Sequence, residues 1–156
     1  MKFFTPELID RFGSPDDDVA DAAMDEWEQR SDSYRKHLDT LRQYLPVDFR
    51  NLLDRYRLHD AAVVQGLRSS VGDKALYLIE LVPEASSEKL TLTYALKGPS
   101  PANLNGECYW LYDEVDVVDR HALWVFVHTI LLSDGTELRL EFTDFQLAAA
   151  CARSRE

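Results

Sequence analysis

The chain has 156 residues, 46% of them hydrophobic and 29% charged, which is the size and balance of one folded domain and excludes a disordered chain. Its 28 acidic residues outnumber 17 basic ones for a formal charge of −11, so the surface repels phosphate backbones and disfavours nucleic-acid binding, while a basic protein is steered toward it. No apolar run reaches the ~18 residues that cross a bilayer, and MKFFTPELID lacks the apolar core of a secretory signal, so a cytoplasmic protein without a membrane partner is expected.

Thr5, Pro6 and Glu7 form a helix start: a hydroxyl cap, a proline at the first helical position and an acid at the positive end of the dipole. This helix should stop at Gly13. Ser14 and Pro15 repeat the signal, with Asp16, Asp17 and Asp18 filling the next first turn, so the aspartate run reads as capping rather than as a calcium loop. From Val19 the apolar residues Ala23, Trp27, Tyr34, Leu38, Leu41 and Leu45 recur at helical spacing. They predict a helix of about thirty residues ending before Pro46, with a weak point at EQRSDS where it bends or breaks. Asp21, Asp25, Glu28, Asp32, Arg35 and Lys36 make its solvated face. A short helix follows over Val47 to Tyr56.

After residue 57 the apolar period changes from 3.6 to 2. Two runs around the Gly72-Asp73 turn predict a β-hairpin, and KLTLTYALK alternates cleanly with Leu90, Leu92, Tyr94 and Leu96 on the core face. GPSPANLNGE is a loop of turn formers. Two long strands, CYWLYDEVDVVD and HALWVFVHTILLS, are separated by Asp119 and Arg120, and the second is apolar on both faces. A turn at Ser133–Thr136 leads into ELRLEF, and the tail from Asp144 to Cys151, opening on an aspartate cap, reads as a short last helix. The prediction is one α+β domain over residues 1–156, with a helical part (1–56) packed on one face of a mostly antiparallel, meander-like sheet of about six strands (57–156).

Common catalytic signatures are missing: there is no GxSxG elbow, phosphate-binding glycine loop, GxGxxG or HExxH, and no metal or cofactor is expected. Cys108 and Cys151 have no CxxC spacing and no histidine at ligand distance in sequence, so they read as reduced thiols. Of four histidines, His37 lies on the long helix and His121 at a strand start. His59 and His128 can face the sheet, and with Asp60 they are the candidates for an acid/base or metal-binding centre, which makes a metal-binding protein or hydrolase-type enzyme the alternative function. His59 and Asp60 stand where the period switches, and a structural joint accounts for them more simply. On that reading Asp60 accepts backbone N–H groups at the corner and His59 is partly buried on the face of Ala61 and Val63.

A second constellation is acidic. Alternation puts Asp113 with Leu111 and Val115, and puts Glu114 and Asp116 on the face of Trp110 and Tyr112. A solvated face explains these acids, but together with Tyr109 they also outline a binding surface, aromatic residues beside charge, suited to a basic protein.

MKFFTPELIDRF resembles the opening of a family of uncharacterised bacterial proteins with an MK-aromatic-aromatic-T start. LHDAAV, residues 58–63, resembles that family's HDA-x-V entry into its sheet, a motif shared with immunity proteins of polymorphic toxin systems. The resemblance implies a bacterial α+β domain with His59 and Asp60 at the motif position, no established activity, and an immunity-like role in which an acidic surface blocks a toxin. The function expected is therefore a non-enzymatic interaction domain, with a homo-oligomer as a further possibility left open by the sequence.

Overall fold

The computed structural model describes residues 1–84, 86–119, 121 and 123–151, which form two compact units, residues 1–43 and the described residues from 44 onward. In the first unit, Thr5 caps α1 (Pro6–Phe12) by accepting from the Leu8 N–H, and Gly13 closes it. The second helix, α2 (Asp17–Leu41), is capped by Asp16, whose Oδ1 accepts from the Asp18 and Val19 N–H groups at 3.0 and 3.4 Å. Ser14, expected as that cap, instead accepts the Asp16 N–H. α2 runs unbroken through EQRSDS but stops at Leu41, short of the expected thirty residues. The polar side chains of the weak stretch are satisfied along the helix: Arg30 pairs with Glu26, Arg35 with Asp32 at 2.9 Å, and Ser33 Oγ donates to the Gln29 carbonyl. Phe4 and Phe12 pack on Trp27 at 4.6 and 5.4 Å, so this unit is held by an aromatic cluster.

In the second unit α3 (Val47–Arg55) precedes six strands: β1 (Ala61–Val71), β2 (Lys74–Val82), β3 (Glu88–Leu96), β4 (Cys108–Asp119), β5 (Val125–Leu132) and β6 (Glu137–Cys151). The α+β class and the antiparallel pairing expected from sequence are present, but the sheet is not an open meander. It closes into a barrel in the order β1-β2-β3-β6-β5-β4. Two three-stranded meanders, β1-β2-β3 and β4-β5-β6, join through β3–β6 and through β4–β1, and closure removes the free edges an open sheet would expose.

The two joints differ. β3 and β6 pair from Glu88↔Cys151 to Leu96↔Phe142, whereas β1 meets β4 only at Ala61↔Trp110, Ala62↔Tyr109 and Val63↔Cys108. Past this short seam the edge of β1 is covered by the loop after β3. Gly66 and Leu104 exchange backbone hydrogen bonds at 3.0 and 2.8 Å, and Tyr77 Oη donates to the Ala102 carbonyl. Gly66 is required there, because a Cβ would stand 2.6 Å from Tyr77 Oη.

The predicted last helix is instead the second half of β6. Its ladder with β3 supplies every residue from Asp144 to Cys151 with a partner, and Asp144 Oδ1 accepts the Phe145 N–H rather than capping a helix. Tertiary pairing overrides the helix preference of Ala148–Ala150. Arg120, placed by sequence between β4 and β5, lies outside the described residues. All eight residues of β5 are buried, in keeping with its unbroken apolar run. Among the described residues no helix is long and apolar enough to cross a membrane.

The barrel interior is aromatic: Tyr77, Tyr94, Trp110, Phe126 and Phe142 are each 0–1% exposed, and Phe49 of α3 packs against Phe142 and Phe145 at 5.4 and 4.9 Å. Asp48 fixes that helix to the barrel by accepting the Leu147 N–H at 3.1 Å. The register shifts at four positions among the described residues, Val63/Gln65, Ala95/Leu96, Trp110/Tyr112 and Val117/Asp119.

Candidate functional site

The bulge at Trp110/Tyr112 decides which side chains meet. It adds a residue to β4, so Trp110 and Asp113, three apart, lie on the same side and Trp110 Nε1–H donates to Asp113 Oδ1 at 2.9 Å. Strict alternation had separated them. Asp113 Oδ2 stands 2.9 Å from His128 Nε2, and His128 Nδ1 stands 2.8 Å from Tyr94 Oη. His128 and Tyr94 are fully buried, with Phe49 set edge-on to the imidazole at 5.0 Å.

Donors and acceptors fix the protons in this chain. A carboxylate only accepts, so His128 donates from Nε2; its bare Nδ1 then accepts from the Tyr94 hydroxyl. Burial, with the Asp113 charge second, pushes the Tyr94 phenol well above its ordinary value, so the hydroxyl keeps the proton it donates. Every polar atom named here has a partner, as an apolar interior requires. The network is a closed structural unit that locks β3, β4 and β5 together.

His59 and Asp60 form a second histidine–aspartate pair in a different setting. Asp60 sits at φ 63°, in the left-handed region that aspartate tolerates better than most residues, and its N–H donates to the Trp110 carbonyl at 2.8 Å. This turn starts β1 at the barrel seam. Two details differ from expectation. The Asp60 carboxylate faces His59 Nε2 at 3.3 Å instead of taking backbone N–H groups, and His59 is exposed, with 52% of its side chain accessible, rather than partly buried. His59 Nδ1 lies 2.7 Å from the Leu111 carbonyl, and its ring packs on Tyr112 at 5.0 Å.

His59, Asp60 and His128 therefore do not form one centre. Both ring nitrogens of His128 are taken by Tyr94 and Asp113, and those of His59 face Leu111 and Asp60. Among the described residues no group of three or more His, Cys, Asp or Glu side chains is arranged to hold a metal ion. Clefts of about 230 and 180 Å³ lie elsewhere, the first beside Lys74 and Asp144 and the second beside Ser100 and Arg139.

The same bulge takes Trp110 out of the predicted binding surface, and Glu114 is buried as well. Trp110 is 0% exposed and Glu114 6%, so neither is available to a partner. Tyr109 is 53% exposed, while Tyr112 and Asp116 are half-buried. Around the two tyrosines the outer surface of the seam carries Asp60 and Asp134. The Asp60 charge, after burial, raises the Tyr112 phenol, and Asp134 likewise adds to the rise of the Cys108 thiol beneath Tyr109. Asp134 itself is held below the usual carboxylate value by hydrogen bonds from Thr136 and stays charged. Sequence reasoning missed Tyr94 and Asp113 as the partners of His128. The available signal was that a tyrosine and a histidine at inward positions each need one. No family model matches the chain, and neither does a curated protein or a solved structure.

Proposed function

We propose that this protein is a binding domain that takes a basic protein partner on the outside of the β1–β4 seam. The observation that carries this reading is the exposed Tyr109 and half-buried Tyr112 with the carboxylates of Asp60 and Asp134 beside them, on a chain of net charge −11. A tyrosine face accepts an arginine or lysine side chain, and a neighbouring carboxylate pairs with the same cation. Tyrosines at the centre of a charged rim are a common source of binding energy. An immunity-like role, with a basic toxin as the partner, follows from the resemblance of the HDA-x-V segment, whose His59 and Asp60 border this surface.

The test is binding to arginine-rich peptides over a series of salt concentrations. Affinity should fall as salt rises, and Tyr109→Ala combined with Asp134→Asn should weaken it by roughly five- to thirtyfold. Salt-insensitive binding, or equal binding by the double variant, contradicts the proposal.

A further inference from the structure

The outward positions of an antiparallel barrel strand face water and ordinarily carry polar side chains. One stretch of the β2–β3–β6 wall departs from this pattern. The register sets Leu76, Ala95 and Asp144 in a row across the three strands, with Thr93 and Gln146 side by side in the next row. Ala95, on the middle strand, offers only a methyl group between two larger neighbours, and a hollow of about 230 Å³ lies there. Val71 and Lys74, paired at the end of the β1–β2 hairpin, line another side of it. In the strand order the β3–β6 joint is opposite the β1–β4 seam, so this hollow is separate from the surface proposed for a basic partner.

The lining carries one charge of each sign. Lys74 stands on β2 and Asp144 two strands away on β6, so the backbones that bear them are about 10 Å apart across the sheet. Asp144 Oδ1 accepts the Phe145 N–H at 2.9 Å, which leaves Oδ2 facing solvent. Among the described residues the Lys74 ammonium, the Thr93 hydroxyl and the Gln146 amide have no side-chain partner. An anion alone meets the Asp144 charge and a cation alone meets that of Lys74, whereas a molecule with both charges is matched at both ends.

We propose that this hollow binds a small zwitterion of dipeptide size, its carboxylate on Lys74 and its ammonium on Asp144. A free amino acid carries both charges on one carbon and does not reach both walls, while two residues of extended chain separate them by ~7 Å. The peptide group then lies over the Ala95 methyl, beside the Thr93 hydroxyl and the Gln146 amide, each of which can donate and accept. Leu76 and the 67% exposed Val71 cover an apolar side chain. The volume falls below the ~300–1,000 Å³ of sites for drug-sized molecules, which limits the ligand to about this size.

Amide NMR of the isotope-labelled full chain, titrated with the dipeptide alanyl-leucine, tests this assignment. Saturable shifts are expected at Thr93, Ala95 and Gln146, with a dissociation constant in the millimolar range or below. Acetylating the amino end of the peptide should weaken binding by roughly two- to fivefold, and so should amidating its carboxyl end, because each removes one exposed ion pair. Asp144→Asn keeps the oxygen that accepts the Phe145 N–H, and it should abolish the effect of acetylation while preserving that of amidation. Lys74→Gln should do the reverse. Equal binding of the free and the blocked peptides, discrimination that survives both substitutions, or no saturation by ~10 mM peptide overturns the proposal. Free leucine binding as tightly as the dipeptide overturns the assignment of size.

Discussion

The chain contains two histidine–aspartate pairs, and their neighbours give them opposite characters. His128 stands between a donor and an acceptor, the Tyr94 hydroxyl and the Asp113 carboxylate, so its neutral ring is fully satisfied although it is completely buried. His59 stands between two acceptors on a half-exposed surface, so its neutral ring leaves one of them unanswered. The same two residue types thus yield a buried hydrogen-bonded lock in one place and an exposed surface pair in the other. What the adjacent atoms can donate, together with burial, decides between them.

If that contrast is right, the largest losses come from the interior pair. His128→Ala leaves the Tyr94 hydroxyl and the Asp113 carboxylate without their partner and opens a cavity, and it should cost roughly 3–5 kcal/mol in chemical denaturation. Tyr94→Phe removes only the hydroxyl and strips His128 Nδ1 of its donor, so a smaller cost of about 1–3 kcal/mol is expected. Equal costs for the two variants would mean that the lock resides in packing rather than in the hydrogen-bonded chain.

The interior also predicts behaviour in alkali. Burial pushes the Tyr77 phenol up to about 12 and the Tyr94 phenol well above the ordinary value. Unfolded tyrosines ionise near ~10, so these two groups contribute stability that is fully present below that pH and is lost as pH rises through about 10 to 12. An absorbance titration should show Tyr77 and Tyr94 ionising only together with unfolding.

The surface pair should respond weakly. Asp60 holds φ 63°, a conformation glycine adopts freely, so Asp60→Gly should change stability by no more than about 0.5 kcal/mol, whereas Asp60→Val should cost about 1–2 kcal/mol through backbone strain. Comparable losses for glycine and valine would shift the role of Asp60 from backbone geometry to its carboxylate.

Local structure was legible in the sequence wherever a short-range signal sets it. The start at Thr5-Pro6-Glu7, the stop at Gly13, the Gly72-Asp73 turn and the alternation of β3 all stand as read. Closure was not legible, because the period of a strand tells which face is buried and not which strand lies beside it. β1–β4 and β3–β6 are long-range pairings set by the packing of the whole barrel. The bulge at Trp110/Tyr112 then reversed the face of part of β4, bringing Asp113 to Trp110 and His128. It also took Trp110 out of the expected surface, although Tyr109 remained exposed. The Ala148–Ala150 stretch was misread for a related reason: a ladder with β3 outweighs an intrinsic preference of a few tenths of a kcal/mol per residue.

The most direct test of the contrast is to locate the ring protons by nitrogen-detected NMR on a histidine-labelled chain, at a slightly alkaline pH where surface imidazoles are neutral. The account predicts opposite tautomers, with the proton of His128 on Nε2, shared with Asp113, and that of His59 on Nδ1, shared with the Leu111 carbonyl. The same tautomer at both residues, or a proton on His128 Nδ1, would contradict it.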